Sequence, residues 1–298
     1  MFSIKGAWGC ACWNLRLLAK NLRFYLGLFL GFLICFFLTQ RTIQFSGIFG
    51  TELQMFEPFV WCFADSDSVL FASLALLLPL SQVPSLNAPA SYLIFRTGRR
   101  SWMIGQTITA ILLSLFYTLF LLAGTCLLAG KNAFWANRWS DTAMVMSFIP
   151  DQFEVSIKVA RSTVKLSAPF NCALQIFLLT AQYMLFLSLV NLAVSLRFGK
   201  QAGMSAMIGI SLAAYLLTPD RFMAWMGLDI RLGYIANLLA AWFSPLQHAT
   251  YTMHSFGYDS LPALWQTHLI MGGVNIGLLG LCGAAAEHIS FLFRRGER

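Results

Sequence analysis

The sequence predicts an all-α polytopic membrane protein with six transmembrane helices. Of its 298 residues, 58% are hydrophobic and only 11% are charged, and the mean hydropathy is +0.69. Soluble domains carry about a quarter charged residues, so this composition argues against a soluble enzyme and against a disordered chain. The second observation is that long apolar stretches recur along the chain. The third is that basic residues concentrate in alternate connections between them.

The apolar stretches define the predicted spans. A helix needs about 20 mostly apolar residues to cross about 30 Å of hydrocarbon. Pro79 lies in the second span, where a transmembrane helix tolerates it as a kink. The whole chain is expected to form one transmembrane domain, 1–298. Its six spans cover about 24–39, 69–84, 102–129, 170–196, 203–218 and 267–286.

The distribution of charge predicts the orientation of the spans. The N-terminus, the connections 84–101 and 197–202, and the C-terminus together hold twelve of the 20 basic residues but only two of the 12 acidic ones. Positive charge accumulates on cytoplasmic connections, so both termini are expected in the cytoplasm of a multi-pass cell-membrane protein. The segments 130–169 and 219–265 then lie outside.

Two further elements accompany the spans. Residues 7–23 interleave tryptophan and leucine with arginine and lysine, which is typical of an amphipathic helix lying on the membrane surface. The alternative is that they form only a positively flanked start of the first span. Segment 219–265 contains apolar runs too short to span, which indicates re-entrant or interfacial helices, or alternatively a folded outer cap.

The inner connection 84–101 carries the most specific local pattern. Residues 91–96 can form one or two helical turns, and Gly98 can end them in a left-handed conformation. A short, partly apolar helix on a basic loop could press into a groove of a soluble subunit. The plainer interpretation is a cluster of three arginines that fixes the topology.

The string YLIFRTGRRSW, from Tyr92 to Trp102, followed by an apolar span, resembles the permease subunit of type-two ABC transporters, the six-span exporter class. The resemblance in layout covers the whole chain and includes an interface helix, a cytoplasmic coupling helix and re-entrant helices. One departure is the long outer segment from Gly130 to Pro169. The resemblance implies ATPase-coupling contacts at Tyr92, Leu93, Phe95, Arg96 and Arg99.

The same resemblance implies partners and a direction of transport. A separate ABC ATPase would bind ATP and magnesium, and a second permease, identical or homologous, would complete the pathway through the lipid membrane. The expected cargo is an exported peptide, drug-like or lipid-like substrate. The chain itself has no phosphate-binding loop with a following lysine, so we expect neither an enzyme nor a cofactor in it.

Metal and nucleic-acid partners are not expected. The seven cysteines and four histidines lack paired spacing, and the net charge of +8 is not gathered on one soluble module. Gly27 with Gly31, and Gly273 with Gly277, would let helices approach closely and are weak indications of a dimer seam.

Uncharged polar residues mark the fourth span. Ser188, Asn191 and Ser195 share one helical face, and Gln182 lies one to two turns before them. These four residues could line a translocation pathway, or they could join neighbouring helices by hydrogen bonds. Two other functions stay open: a non-transporting scaffold or sensor, and an ion-coupled secondary transporter, which would require ionisable residues at membrane depth.

Overall fold

The computed structural model describes residues 3–85, 88–130, 133–148, 161–227, 229, 233–257 and 259–287. Over these residues the chain is almost entirely helical, with one two-residue strand pair, β1 Leu53–Gln54 and β2 Ala133–Phe134, aligned in parallel. A 3₁₀ turn covers Tyr251–Met253. The helices are α1 Ile4–Ala19, α2 Leu22–Phe49, α3 Glu57–Phe63, α4 Ser66–Leu80, α5 Ala88–Thr97, α6 Arg99–Ala129, α7 Asp141–Phe148, α8 Arg161–Leu166, α9 Pro169–Phe198, α10 Lys200–Leu216, α11 Pro219–Met226, α12 Gly233–Phe243, α13 Pro245–Ala249 and α14 Leu264–Glu287.

Four helices of the described chain are long and apolar enough to cross a membrane: α2, α6, α9 and α14. The helices α3 and α4 pass the same test as a pair, although the chain bends by 88° between them. These helices confirm the expected all-α class, and their length and composition suit a membrane-embedded protein. They account for four spans, or five with the bent pair, so the count of six stays a prediction. In a bilayer the backbone polar groups must be satisfied within each segment, which is why apolar stretches of this length become helices.

The bounds of most long helices follow the apolar stretches. The helices α6, α9 and α14 begin and end within three residues of the predicted stretches, because the apolar run itself sets their length. The helix α2 instead continues ten residues past residue 39. In that extension Thr42 and Ser46 are buried, and Thr39 contacts the Cys62 thiol of α3 at 3.7 Å. The contact with α3 therefore lies where the predicted span ends, and the extension beyond it buries two hydroxyl side chains that hydropathy counts as polar.

The core surrounds α9, which contacts α4, α6, α10 and α14. Its buried side chains include Ile176, Tyr183 and Leu187, and α6 contributes Tyr117 and Leu121. Of the predicted glycine seams, Gly27 and Gly31 are used inside the chain. A Cβ at Gly27 would lie 2.4 Å from Pro79 of α4, and one at Gly31 would lie 2.8 Å from the Tyr117 hydroxyl.

The segment between α6 and α9 folds against the α2–α3 connection. Glu57, at the start of α3, is fully buried. Its carboxylate accepts hydrogen bonds from the Ser140 backbone N–H at 2.6 Å and from the Gln54 N–H at 3.2 Å. The Ser140 hydroxyl, at 2.7 Å, is a third donor. Of the predicted outer segments, residues 131–132, 149–160, 228, 230–232 and 258 lie outside the described residues.

Gly105 tests how closely α1 must approach α6. A Cβ at Gly105 would lie 2.6 Å from the Cys10 Cβ and 2.9 Å from the Ala7 carbonyl oxygen, so Gly105→Ala forces the helices apart. We expect a loss of about 1–3 kcal/mol in stability, the usual cost of overpacking. Thermal unfolding of the purified protein in detergent measures it.

Gly209→Ala is the matched control, because nothing lies within 4 Å of a Cβ built there and the residue is inside helix α10. Alanine favours a helix interior by up to about 1 kcal/mol over glycine, so this variant should be neutral or stabilised. Equal behaviour of the two variants would contradict the close packing of α1 on α6.

Candidate functional site

The short helix α5 has a local reason to form and to end. Thr97 closes its last turn by donating a hydrogen bond from its hydroxyl to the Leu93 carbonyl at 2.7 Å. Gly98 follows with φ +82°, a backbone conformation that residues other than glycine rarely adopt. The Trp102 N–H then bonds to the Gly98 carbonyl, and α6 begins at once. A sharp corner therefore joins α5 to α6.

Four of the five predicted coupling residues form an exposed surface at this corner, here called the α5 face: Tyr92, Phe95, Arg96 and Arg99. Tyr92 is 79% exposed and Phe95 82% exposed, and both arginines are exposed. Spacings of three and four residues place Phe95 and Arg96 on the same side of α5 as Tyr92. Arg99 follows the corner, in the first turn of α6. Leu93, the fifth predicted residue, is only half-buried and lies beside this face.

The opposite side of α5 is anchored to the protein. Ile94 is only 7% exposed and packs in a cluster with Cys10 of α1 and Trp102 of α6. The Cys10 thiol also lies 3.6 Å from the Thr97 hydroxyl. The exposed aromatic residues of the α5 face therefore belong to a helix that is held in place by its contacts with α1 and α6.

The N-terminal helix differs from its predicted form. The sequence predicts a surface helix over 7–23, whereas α1 covers Ile4–Ala19 and packs lengthwise along the first turns of α6. Ser3 donates its N–H to the Ser101 hydroxyl at 3.1 Å, and Asn14 donates to the Thr109 hydroxyl at 3.3 Å. Small buried residues, Ala7 and Ala11, allow this contact. α1 is thus a brace of α6 and of the α5 corner.

Three of the predicted pathway residues are buried between helices of this chain. The Ser188 hydroxyl lies 3.0 Å from that of Ser114 in α6. Asn191 donates to the backbone carbonyls of Leu80 and Val83 at 3.3 and 2.9 Å, after the end of α4. These contacts favour the interpretation that the residues join helices.

The third residue, Ser195, marks the contact with α10. It donates to the Asn191 Oδ1 at 3.3 Å, and a Cβ at Gly203 of α10 would lie only 1.9 Å from its hydroxyl oxygen. α10 therefore approaches α9 as closely as a glycine allows. Replacement of Gly203 by any larger residue would displace the Ser195 side chain.

Gln182, the fourth predicted pathway residue, lies elsewhere and belongs to a cluster that sequence reasoning missed. The Nδ1 atom of His268 in α14 lies 2.9 Å from the Gln182 Oε1, and its Nε2 atom lies 3.0 Å from the Gln175 Oε1. Asn275 donates to the Gln182 carbonyl at 3.3 Å. The side chains of Gln175, Gln182 and His268 are half-buried at the α9–α14 contact, and that of Asn275 is buried. The spacing of seven between the glutamines, which places them on one helix face, was the available signal.

A second histidine cluster lies between α12 and the first turn of α14. His254 Nδ1 is 3.0 Å from the Thr250 carbonyl, so it carries the proton, and Nε2 is 3.0 Å from the Thr267 hydroxyl. His248 Nδ1 lies 3.2 Å from the same hydroxyl. Burial lowers the pKa of His254 to about 4, although the carbonyl of Tyr251 opposes that shift. Burial also lowers the pKa of His248.

Among the described residues, no group of three or more histidine, cysteine, aspartate or glutamate side chains could hold a metal ion. The seven cysteines form no disulfide, and only Cys12 of them is not buried.

Comparison with known proteins finds no family model that matches the chain and no curated relative. The α5 face and the His268 cluster are therefore candidate sites on their geometry alone.

The His254 cluster should make stability depend on pH. Because the folded protein holds this ring neutral, the unfolded chain binds a proton that the folded chain excludes once the pH falls below about 6.5. The stability is expected to be complete above pH 7 and to fall by about 2 kcal/mol by pH 5. Unfolding midpoints in detergent at several pH values measure this loss.

His254→Gln keeps a polar side chain and removes the titration. Its unfolding midpoint should vary less between pH 7 and pH 5 than that of the unchanged protein, whatever its absolute stability. The same pH slope in both proteins would show that His254 does not titrate in this range.

Proposed function

We propose that this chain is the permease subunit of an ATP-driven ABC transporter, and that the α5 face is where a separate ATPase docks. The observation that carries the proposal is that the α5 face exposes Tyr92 and Phe95 beside two arginines, while the opposite side of α5 is packed against α1 and α6. Aromatic residues and arginine dominate the binding energy of protein interfaces.

In the proposed topology α2, α4, α6, α9, α10 and α14 are the six spans, with both termini in the cytoplasm of a cell-membrane protein. The helix α10 has 17 residues and is about 25 Å long, which suffices for a slightly thinned bilayer. The uneven distribution of basic residues supports this orientation, because positively charged connections stay in the cytoplasm. The α5 face is then cytoplasmic.

The proposed mechanism passes motion from the ATPase to the spans. ATP and magnesium bind the ATPase subunits, whose closure moves α5. Since Gly98 joins α5 to α6 without a flexible linker, and α1 braces both, a displacement of α5 tilts α6. Transport requires that the ATPase bind two conformations of the permease with different affinity.

A second permease copy or a homologue would complete the pathway. At Gly273 and Gly277 of α14, no atom lies within 4 Å of the point that a Cβ would occupy, so their surface is free for another helix of small residues. Gln182 is the predicted pathway residue with the least burial in this chain, and we propose it as a lining residue. The proposed cargo is an exported peptide, drug-like or lipid-like molecule.

The docking proposal predicts that Phe95→Ala combined with Arg96→Ala weakens binding of the partner ATPase at least about 30-fold, because each is a candidate hot spot. The measurement is co-purification and titration with a candidate ABC-type ATPase subunit from the same organism, together with the stimulated ATP hydrolysis. The unfolding midpoint should stay unchanged, since both side chains are exposed.

Trp135→Ala combined with Arg138→Ala is the matched control. It removes an exposed aromatic residue, 70% accessible, and an exposed arginine from the segment after α6. This control should bind the ATPase normally. Unchanged binding by the Phe95–Arg96 variant would refute the docking site and favour a non-transporting scaffold or sensor.

The His268 cluster favours one other function, a secondary transporter coupled to protons. His268 lies within a proposed membrane-spanning helix, and its ring nitrogens contact two uncharged glutamines. Ionisable residues inside such helices are rare and mark ion or proton pathways, so His268 is a candidate for proton transfer. If this alternative holds, the driving force is a proton gradient and no ATPase is required.

Transport in proteoliposomes separates the two functions. For the ATP-driven permease, His268→Gln should leave uptake dependent on ATP and independent of an imposed proton gradient. For the proton-coupled alternative, the same variant should lose gradient-driven transport by tenfold or more, the order of a general acid–base contribution. Ser73→Ala is the control, because it removes a buried hydroxyl of α4 that donates to the Leu70 carbonyl of its own helix, away from this cluster.

A further inference from the structure

A polar cavity of about 150 Å³ lies where α1 ends and α2 begins. Four uncharged polar side chains line it, from Asn14, Asn21, Gln82 and Ser85, together with three apolar residues. The Ser85 hydroxyl donates to the Asn14 Oδ1 at 3.0 Å, which holds these two side chains at the wall. An apolar cavity of this size accepts a molecule as large as benzene, so a phosphate group fits by volume.

Two basic residues stand beside this cavity. Arg23 donates from Nη1 to the Ser81 hydroxyl at 3.4 Å, and Gln82, which lines the cavity, donates to the same hydroxyl at 3.3 Å. Lys200 is the first residue of α10, and Gly203, one turn later, packs on Asn191. The Asn191 side chain bonds to the carbonyls of Leu80 and Val83, on either side of Ser81 and Gln82. The start of α10 therefore lies beside the contact of Arg23 with Ser81, and burial with the nearby Arg23 charge lowers the pKa of Lys200. Two like charges thus lie near one another at the cavity.

The helices that carry or adjoin these two cations, α1, α2, α9 and α10, contain no carboxylate. No aspartate or glutamate occurs in residues 1–51, 68–140 or 155–219, which include α1, α2, α5, α6, α9, α10 and all but the first turn of α4. Like charges repel at close range unless an anion lies between them. The arrangement therefore favours an anionic ligand.

A second cavity, of about 160 Å³, adjoins the first across Leu18. Its lining is entirely apolar: Leu15, Leu18, Phe24, Leu112, Leu113 and Phe116. It lies between α1, α2 and α6, and Phe116 is partly exposed on the lipid-facing side of α6. A polar cavity with cations next to an apolar one has the chemistry of a headgroup joined to an acyl chain.

We propose that these two cavities form a site for an anionic phospholipid. Its phosphate lies in the polar cavity near Arg23 and Lys200. The first few methylene groups of one acyl chain lie in the apolar cavity beyond Leu18, and the rest of the chain continues past Phe116 into the bilayer. Basic pockets between membrane helices hold anionic headgroups in this way. The site is independent of the proposed ATPase docking, because none of its residues belongs to the α5 face.

The test uses the purified full chain in detergent, with thermal unfolding and native mass spectrometry as readouts. Dioleoyl phosphatidylglycerol should raise the unfolding midpoint and stay bound, whereas dioleoyl phosphatidylcholine should do neither. Arg23→Gln and Lys200→Gln should each weaken phosphatidylglycerol binding about fivefold, and the double variant about 25-fold. Unfolding without added lipid shows whether each variant is folded.

Lys5→Gln is the matched control, because it removes one cation from the other end of α1, about 20 Å from the cavity. It should bind phosphatidylglycerol like the unchanged protein. Inorganic phosphate alone should give no comparable shift, since it cannot use the apolar cavity.

Three results would overturn the lipid site. The first is phosphatidylglycerol binding that is unchanged in the double variant. The second is an equal loss of binding in Lys5→Gln, which would mean attraction by net charge alone. The third is a full thermal shift with inorganic phosphate that phosphatidylglycerol does not increase, which would make the ligand a free anion.

Discussion

The rest of the structure depends on four polar side chains of α9 that find partners on or near neighbouring helices, away from water. Leaving a buried polar group without a hydrogen bond costs about 1–3 kcal/mol, so the partners determine where neighbouring helices pack. Ser188 is matched by Ser114 of α6, and Asn191 by the carbonyls after α4. Gln175 and Gln182 are matched by His268 of α14.

These contacts also explain why small residues recur where helices meet. Dispersion and hydrogen bonds join helices only when their backbones approach closely, because lipid is as apolar as leucine. Gly27, Gly105 and Gly203 each lie where a Cβ would collide with a neighbouring helix. At the glycines of α14, by contrast, no atom of the described residues lies within 4 Å of an added Cβ. The same residue type therefore marks internal packing in three helices and a free surface in the fourth.

The sequence predicts the long helices well because one variable, the length of an apolar run, determines them. It predicts poorly where packing overrides hydropathy, as in the extension of α2, whose Thr42 and Ser46 are buried by tertiary contacts. The position of α1 is another example. Its amphipathic pattern fits a membrane surface and a protein surface equally, and only the small residues Ala7 and Ala11 distinguish them.

The candidate sites also contain features that the sequence could predict and others that it could not. The exposure of the α5 face could be expected, because Gly98 and the arginines mark a solvent-facing corner. The contacts of His268 with Gln175, 93 residues apart, and of Asn14 with Ser85, 71 residues apart, could not. Local patterns carry no information about which distant side chains meet, and no alternation or spacing ties Glu57 to Ser140.

The arrangement of α6 and α9 bears on how motion at one end could reach the other. The α5 corner is continuous with α6, whose Ser114 contacts Ser188 about halfway along its length. Gln182 lies six residues before Ser188 on the same helix, about 9 Å away. An unbroken series of packed contacts therefore joins the α5 face to the His268 cluster. Such continuity allows coupling, but coupling itself requires two packed arrangements of differing partner affinity. The contact between Ser114 and Ser188 is where those arrangements would differ, because displacement of α6 along α9 must break it.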